Sequence, residues 1–90
     1  MNESVTAIAD LAFSETLRTR AQGIRPNVRT VREAVRLIDQ ELPRELRSLS
    51  RWTFARALLL EAEKSRKKRD LISAERQLKQ ALSNEGWLLD

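Results

Sequence analysis

The chain contains no cysteine, histidine or tyrosine, and only two glycines and two prolines. Without cysteine there can be neither a disulfide framework nor a thiolate metal site, and without histidine any metal would have to be held by carboxylates alone. The missing residues are also the ones that most often supply a proton-transfer group near neutral pH or an activated nucleophile. With so few glycines there is no phosphate cradle of the P-loop or dinucleotide-binding kind. Phe13, Trp52, Phe54 and Trp87 are all the aromatic residues, which is too few for the stacking platforms of single-strand nucleic-acid binders. No apolar run approaches the ~18 residues needed to cross a bilayer, and Met1-Asn2-Glu3-Ser4 lacks the basic-then-apolar order of a signal peptide. A cytoplasmic location with no membrane association is the expectation.

Carboxylate pairs are the only catalytic chemistry left. Glu61 and Glu63 stand two apart on a predicted helix and point about 200° away from each other. Glu41 and Glu45 would be helical neighbours, but Pro43 lies between them. The inventory therefore predicts a protein that is not an enzyme, with no cofactor, no metal and no small-molecule substrate.

What is present is helical periodicity, over ninety residues with neither an internal repeat nor a linker-like stretch, so residues 1–90 read as a single domain. Val5, Ile8, Ala9 and Ala12, extended by Phe13 and Leu17, follow i, i+3, i+4 spacing, and Gly23 and Pro26 close the segment. Thr30 and Glu33 form a capping-box pattern ahead of Val31, Ala34, Val35, Ile38 and Leu42, and Pro43 ends that helix. Trp52, Ala55, Leu59 and Ala62 mark a third helix, in which Leu58-Leu59-Leu60 sweep so much of the cylinder that one neighbour cannot cover them. Leu71, Ala74, Leu78, Ala81 and Leu82 mark a fourth, with Asp70 as a candidate N-cap. Gly86 is placed for a left-handed C′ residue, with Trp87 folding back on Leu82. The predicted fold is all-α: four helices over about 4–21, 31–42, 51–65 and 71–85, with a short helical turn after Pro43.

Val31-Arg32-Glu33-Ala34 opening a helix, Leu42-Pro43 closing it, an Ala/Leu-rich helix over Ala55 to Ala62, and Ser73-Ala74-Glu75-Arg76 leading to Ala81 and Gly86 together resemble a small alphaproteobacterial domain-of-unknown-function family. The resemblance covers residues 28–89. Its motifs are mainly helix punctuation, and it implies a small non-enzymatic accessory protein without assigning any residue a role.

Charge is the most informative feature. Seventeen Lys and Arg against thirteen acids give +4, unevenly distributed. Residues 1–15 carry Glu3, Asp10 and Glu15, whereas residues 16–36 carry Arg18, Arg20, Arg25, Arg29, Arg32 and Arg36 against Glu33 alone. Arg29, Arg32 and Arg36 are predicted to share the polar face of the second helix, and Arg66, Lys67, Lys68 and Arg69 follow the third. Each patch has a plain alternative: a solvated face neutralised by Asp39 and other acids in the first case, cations favoured at a helix C-terminus in the second. The functional alternative is a docking surface for an acidic protein or a nucleic-acid backbone, which guanidinium forks suit. The helix 2 to helix 3 connection is longer than a helix-turn-helix reader uses. Trp52 beside Arg51 and Arg56 is a lesser candidate for a stacking surface.

Leu37, Leu60 and Ile72 fall off the predicted apolar stripes and are the candidate self-association residues of a homodimer formed through the third helix. The leading expectation is a regulatory or protein-interaction module that self-associates and presents a basic face to an acidic partner. A nucleic-acid accessory protein that holds phosphate backbone is the competing class, and a domain whose patches serve only solubility is the third.

Overall fold

Phe13 and Leu17 are four residues apart, a spacing that returns a side chain to the same face after one helical turn or after two full pleats of a strand. The computed structural model, which describes residues 10–89, resolves this ambiguity in favour of the strand: Ala12–Arg18 is β1, with Phe13 and Leu17 buried. The all-α expectation and the helix over 4–21 are therefore corrected, and the fold is helix-rich with an antiparallel two-stranded sheet. Val5, Ile8 and Ala9, which supplied most of the helical stripe, lie outside the described residues.

β1 pairs with β2, Asn27–Thr30, through Leu17 opposite Val28 and Arg18 opposite Asn27. Gly23 and Pro26 shape the connecting loop instead of ending a helix. Gly23, at φ +85°, is the third residue of a turn closed by the Ile24 N–H donating to the Ala21 carbonyl, a position that needs positive φ. On the far edge of β1 the C-terminal segment adds a short third rung. Arg20 N–H donates to Trp87 O and Leu89 N–H to Arg18 O, both at 2.8 Å.

The sheet runs directly into α1, Val31–Arg36, and Thr30 is its N-cap, accepting the Glu33 N–H at 3.1 Å as the capping pattern predicts. The Glu33 carboxylate closes the box one residue early, on the Arg29 N–H at 2.7 Å. A π-helical segment, Leu37–Glu41, continues α1, and the Leu42 N–H reaches back five residues to Leu37 O before Pro43 stops the chain. The wider turn changes the phase of the face, so Leu37 and Ile38 both enter the core. Leu37, expected at a contact between two copies, is instead fully buried within the monomer.

A one-turn helix, α2 (Arg44–Arg47), fills the expected turn after Pro43. α3 (Ser50–Ser65) and α4 (Lys68–Asn84) form a helical hairpin that is the main body of the molecule. α4 starts earlier than the predicted residue 71, because Lys67 rather than Asp70 is the N-cap. The two helices close on Trp52, fully buried, whose indole N–H donates to Glu85 at 3.0 Å and whose ring stands 6.3 Å from that of Trp87. At the end of α4 the Trp87 N–H donates to Leu82 O and the Gly86 N–H to Ser83 O, the Schellman pattern expected of Gly86 at φ +75°. Among the described residues no helix is long and apolar enough to cross a membrane.

Candidate anion-binding surface

The acids of this chain are largely consumed by internal bonds. Glu41 accepts from the Arg25 backbone N–H at 2.9 Å and from its guanidinium Nε at 2.8 Å, tying the hairpin loop to the end of the π-helical segment. That guanidinium hydrogen bond holds the Glu41 carboxyl below its ordinary range and outweighs the opposing effect of burial; the same bond raises Arg25. Asp39 takes a bidentate bond from Arg56, which lowers the carboxyl and raises the guanidinium in the same way. Arg32 is shared between Asp10 at 3.1 Å and Glu63 at 3.3 Å. Lys79 is bonded to Glu15, which raises its pKa, and Glu85 is held by Trp52 and Arg51.

Buried Glu75 on α4 faces the irregular middle of β1, where the register between Ala12/Thr30 and Leu17/Val28 leaves extra residues on one strand. Its two oxygens accept the Ser14 N–H at 3.0 Å and the Ser14 hydroxyl at 2.7 Å. A bulge of this kind leaves backbone groups without ladder partners, and here a carboxylate supplies one. Among the described acids, Glu45 and Glu61 alone lack a hydrogen-bonding or ionic partner. The two carboxylate pairs considered for catalysis are thus not assembled: Glu41 is bound to Arg25 and Glu63 to Arg32.

The predicted helical stripe of Arg29, Arg32 and Arg36 is divided. Arg29 belongs to β2 rather than to a helix, Arg32 is ion-paired, and Arg36 is exposed on α1 with no hydrogen bond or ion pair, its charge acting on Glu41 only at a distance. Asp39, expected to neutralise Arg36, is engaged by Arg56. This same engagement makes Arg56 unavailable for the stacking surface considered around Trp52, whose ring is in any case buried.

The second patch is the corner between α3 and α4. Arg66, at φ +59°, is the left-handed C-cap of α3 and donates its N–H to Ala62 O. Ser65 Oγ accepts the Lys67 N–H and donates to Asp70, which fixes the corner in the absence of glycine. Lys67, Lys68 and Arg69 are exposed. Lys68 and Arg69 occupy the first turn of α4, at the positive end of its dipole, so the dipole opposes them instead of favouring them. The dipole account survives for Lys64 in the last turn of α3 and for Arg66 at its C-cap.

Two cations that were not singled out as site residues prove to belong to a surface. Leu17, Thr19 and Val28 face the core, so Arg18 on β1, Arg20 two residues beyond it on the rung with Trp87, and Arg29 on β2 stand on the opposite, solvent-facing side of the sheet. The two-residue spacing of Arg18 and Arg20 is the sequence signal for this face, and it has meaning only in an extended chain. Off the sheet, Ile72 and Arg76 on α4 flank a shallow hollow with Ser14, Glu75 and Lys79. No group of three or more metal-ligating side chains occurs among the described residues.

The chain matches no family model, no curated protein and no solved structure.

Proposed function

We propose that this protein is a non-enzymatic interaction module that presents a cationic surface to an acidic partner. The observation that carries the reading is the asymmetry of pairing. Nearly every described acid is held by a named donor, whereas Arg18, Arg20, Arg29, Arg36, Arg44, Lys64, Lys67, Lys68, Arg69 and Arg76 have no side-chain hydrogen bond or ion pair among the described residues. Uncompensated like charge is held at an energetic cost, and the first turn of α4 adds a helix-dipole cost to it. An anion binding there would relieve both. The resemblance over residues 28–89 to a domain-of-unknown-function family fits an accessory protein and adds no residue roles.

The test is a pair of titrations at ~50 mM salt, one with poly-glutamate and one with mixed-sequence duplex DNA, each repeated as salt is raised. Saturable binding to at least one polyanion that weakens with salt supports the reading. Failure of both to bind removes it.

Self-association is a second reading with its own observation. Phe54 is 52% exposed and Leu60 38% exposed, and with exposed Ala57 they occupy one outward arc of α3. We assign this arc, in place of Leu37, as the contact between two copies. Ile72, 44% exposed, lies on α4 among basic residues and fits the cationic surface better.

A further inference from the structure

We infer that the acidic partner is a nucleic-acid duplex, and that its phosphate backbone is received on the outer face of the β1–β2 ribbon by Arg18, Arg20 and Arg29. This rests on the reading just given and names the partner class and the surface.

The ribbon fixes these three side chains on one side by its register. Arg18 is opposite Asn27, Arg29 is two residues beyond Asn27 on the same strand, and Arg20 is two residues beyond Arg18. The backbone stays extended to Arg20 because the C-terminal rung pairs there, through Thr19 opposite Leu88. Alternate residues of a strand are about 6.6 Å apart, so Arg18 and Arg20 are spaced close to successive phosphates along a nucleic-acid strand, and Arg29 stands diagonally from Arg18 on the neighbouring strand. Thr16 and Asn27, on the same strands, add short polar groups of the kind that supplement arginine at phosphates.

Among the described residues no acid is bonded to the side chains of Arg18, Arg20 or Arg29. Glu15, beside the bulge, is taken by Lys79, and Glu33 is turned to the Arg29 backbone amide rather than to its guanidinium. All three cations are arginine, whose planar fork binds phosphate in a bidentate manner that lysine cannot.

Two absences at this face argue for a duplex over the alternatives. It carries no exposed aromatic side chain: Phe13 is buried, Trp52 and Phe54 are on α3, and Trp87, whose carbonyl accepts the Arg20 N–H, is half-buried with its ring against Trp52, so unstacked bases would find no free platform. Among the described residues the exposed large apolar side chains, Phe54, Leu60 and Ile72, are all on α3 and α4, and Leu89, which pairs with Arg18, is half-buried. Protein interfaces depend on such anchors, whereas a phosphate backbone needs only positioned charge.

The experiment measures binding of the full chain to a mixed-sequence duplex as a function of salt, for wild type and for two charge-matched triple variants. One replaces the ribbon (Arg18→Gln, Arg20→Gln, Arg29→Gln) and the other the corner (Lys67→Gln, Lys68→Gln, Arg69→Gln). Loss of three phosphate contacts makes the log K against log salt slope shallower by about 2.7, and at ~50 mM salt the ribbon variant is expected to bind at least tenfold more weakly. The corner variant is expected to lose less. Replacing the ribbon arginines by lysine restores the slope but only part of the affinity. Circular dichroism checks that the ribbon variant remains folded, as its exposed sites predict. Equal losses in the two triple variants, or none in the ribbon variant, overturn the assignment of the surface. Tighter binding of the single strand than of the duplex, or of poly-glutamate with no duplex binding, overturns the partner while leaving the acidic-partner reading intact. Failure to bind any polyanion removes both.

Discussion

Ser14 and Glu75 are sixty-one residues apart in sequence and joined by two hydrogen bonds, with the Ser14 N–H and hydroxyl both donating to one buried carboxylate on α4. This pair is how the sheet is registered against the helical hairpin. The strand is irregular at that point, so it has no ladder partner to give up in exchange. Glu75→Ala leaves a part-buried amide and hydroxyl without acceptors, and a loss of about 2–3 kcal/mol in urea unfolding is expected. Ser14→Ala removes the hydroxyl alone and is expected to cost about 1 kcal/mol. A double-mutant cycle showing no coupling between the two positions would contradict the registering role.

The Arg25–Glu41 pair ties the hairpin loop to the end of the first helix and gives stability a defined dependence on acid. Glu41 has a folded pKa below its ordinary value of 4.5, chiefly because of the hydrogen bond from Arg25. A depressed carboxyl contributes stability that is present above the ordinary value and is lost as pH falls through the folded value. Asp39, lowered by Arg56, has the same sign, although it is more exposed and contributes less. Acid titration monitored by circular dichroism is expected to show wild type losing stability between the ordinary and folded pKa values. Glu41→Gln, less stable at neutral pH, is expected to lose less over that range. An identical acid dependence for the two proteins would rule out the linkage.

Gly86 offers a clean measure of backbone strain. A Cβ built there meets nothing within 4 Å, so steric crowding cannot contribute, yet φ is +75°. Gly86→Ala is expected to cost about 1 kcal/mol through the left-handed conformation alone, and Gly86→Asn less, because asparagine tolerates that region. Thermal unfolding of the three proteins decides the order, and an unchanged midpoint in the alanine variant would refute it.

Gly86, Thr30 and Pro43 were legible because each acts through a rule confined to a few neighbouring residues: a left-handed cap, a hydroxyl on an open N–H, a ring that stops a helix. The interior stripes of α3 and α4 were legible for the same reason, since Trp52, Ala55, Leu59 and Ala62, and Ala74, Leu78, Ala81 and Leu82, repeat over several turns. β1 was not, because Phe13 and Leu17 satisfy two periodicities at once and the partners that select the strand, Val28 and Leu88, are distant in sequence. Leu37 was misplaced because a π-helical turn changes phase without a sequence signature. The cationic surface was half visible. Charge density located Arg29, Arg36 and the corner cations, but only the ribbon brings Arg18 and Arg20 beside Arg29, and only the folded chain reveals that Arg32 is already paired.

The outward arc of α3 provides a prediction about assembly. Phe54, Ala57 and Leu60 follow one another at three-residue steps, so they spread over about 120° of the helix, with small Ala57 in the middle. Two copies packed antiparallel about Ala57 would place Phe54 of each against Leu60 of the other, an isologous contact in which a close approach at alanine brings the larger side chains together. Each of these side chains is already partly covered, so the gain per residue is modest and the dimer is expected only at high protein concentration. Sedimentation equilibrium at high micromolar protein is expected to show a monomer–dimer equilibrium for wild type and a monomer for Phe54→Ser and for Leu60→Ser. Neither substitution should reduce stability by more than about 1 kcal/mol, since both sites are exposed in the monomer. Leu37→Ser distinguishes this arc from the interior: buried as it is, it should unfold the chain rather than merely separate two copies. A wild-type protein that sediments as a monomer throughout would exclude the contact while leaving the cationic surface untouched, because Arg18, Arg20 and Arg29 lie on the sheet and not on α3.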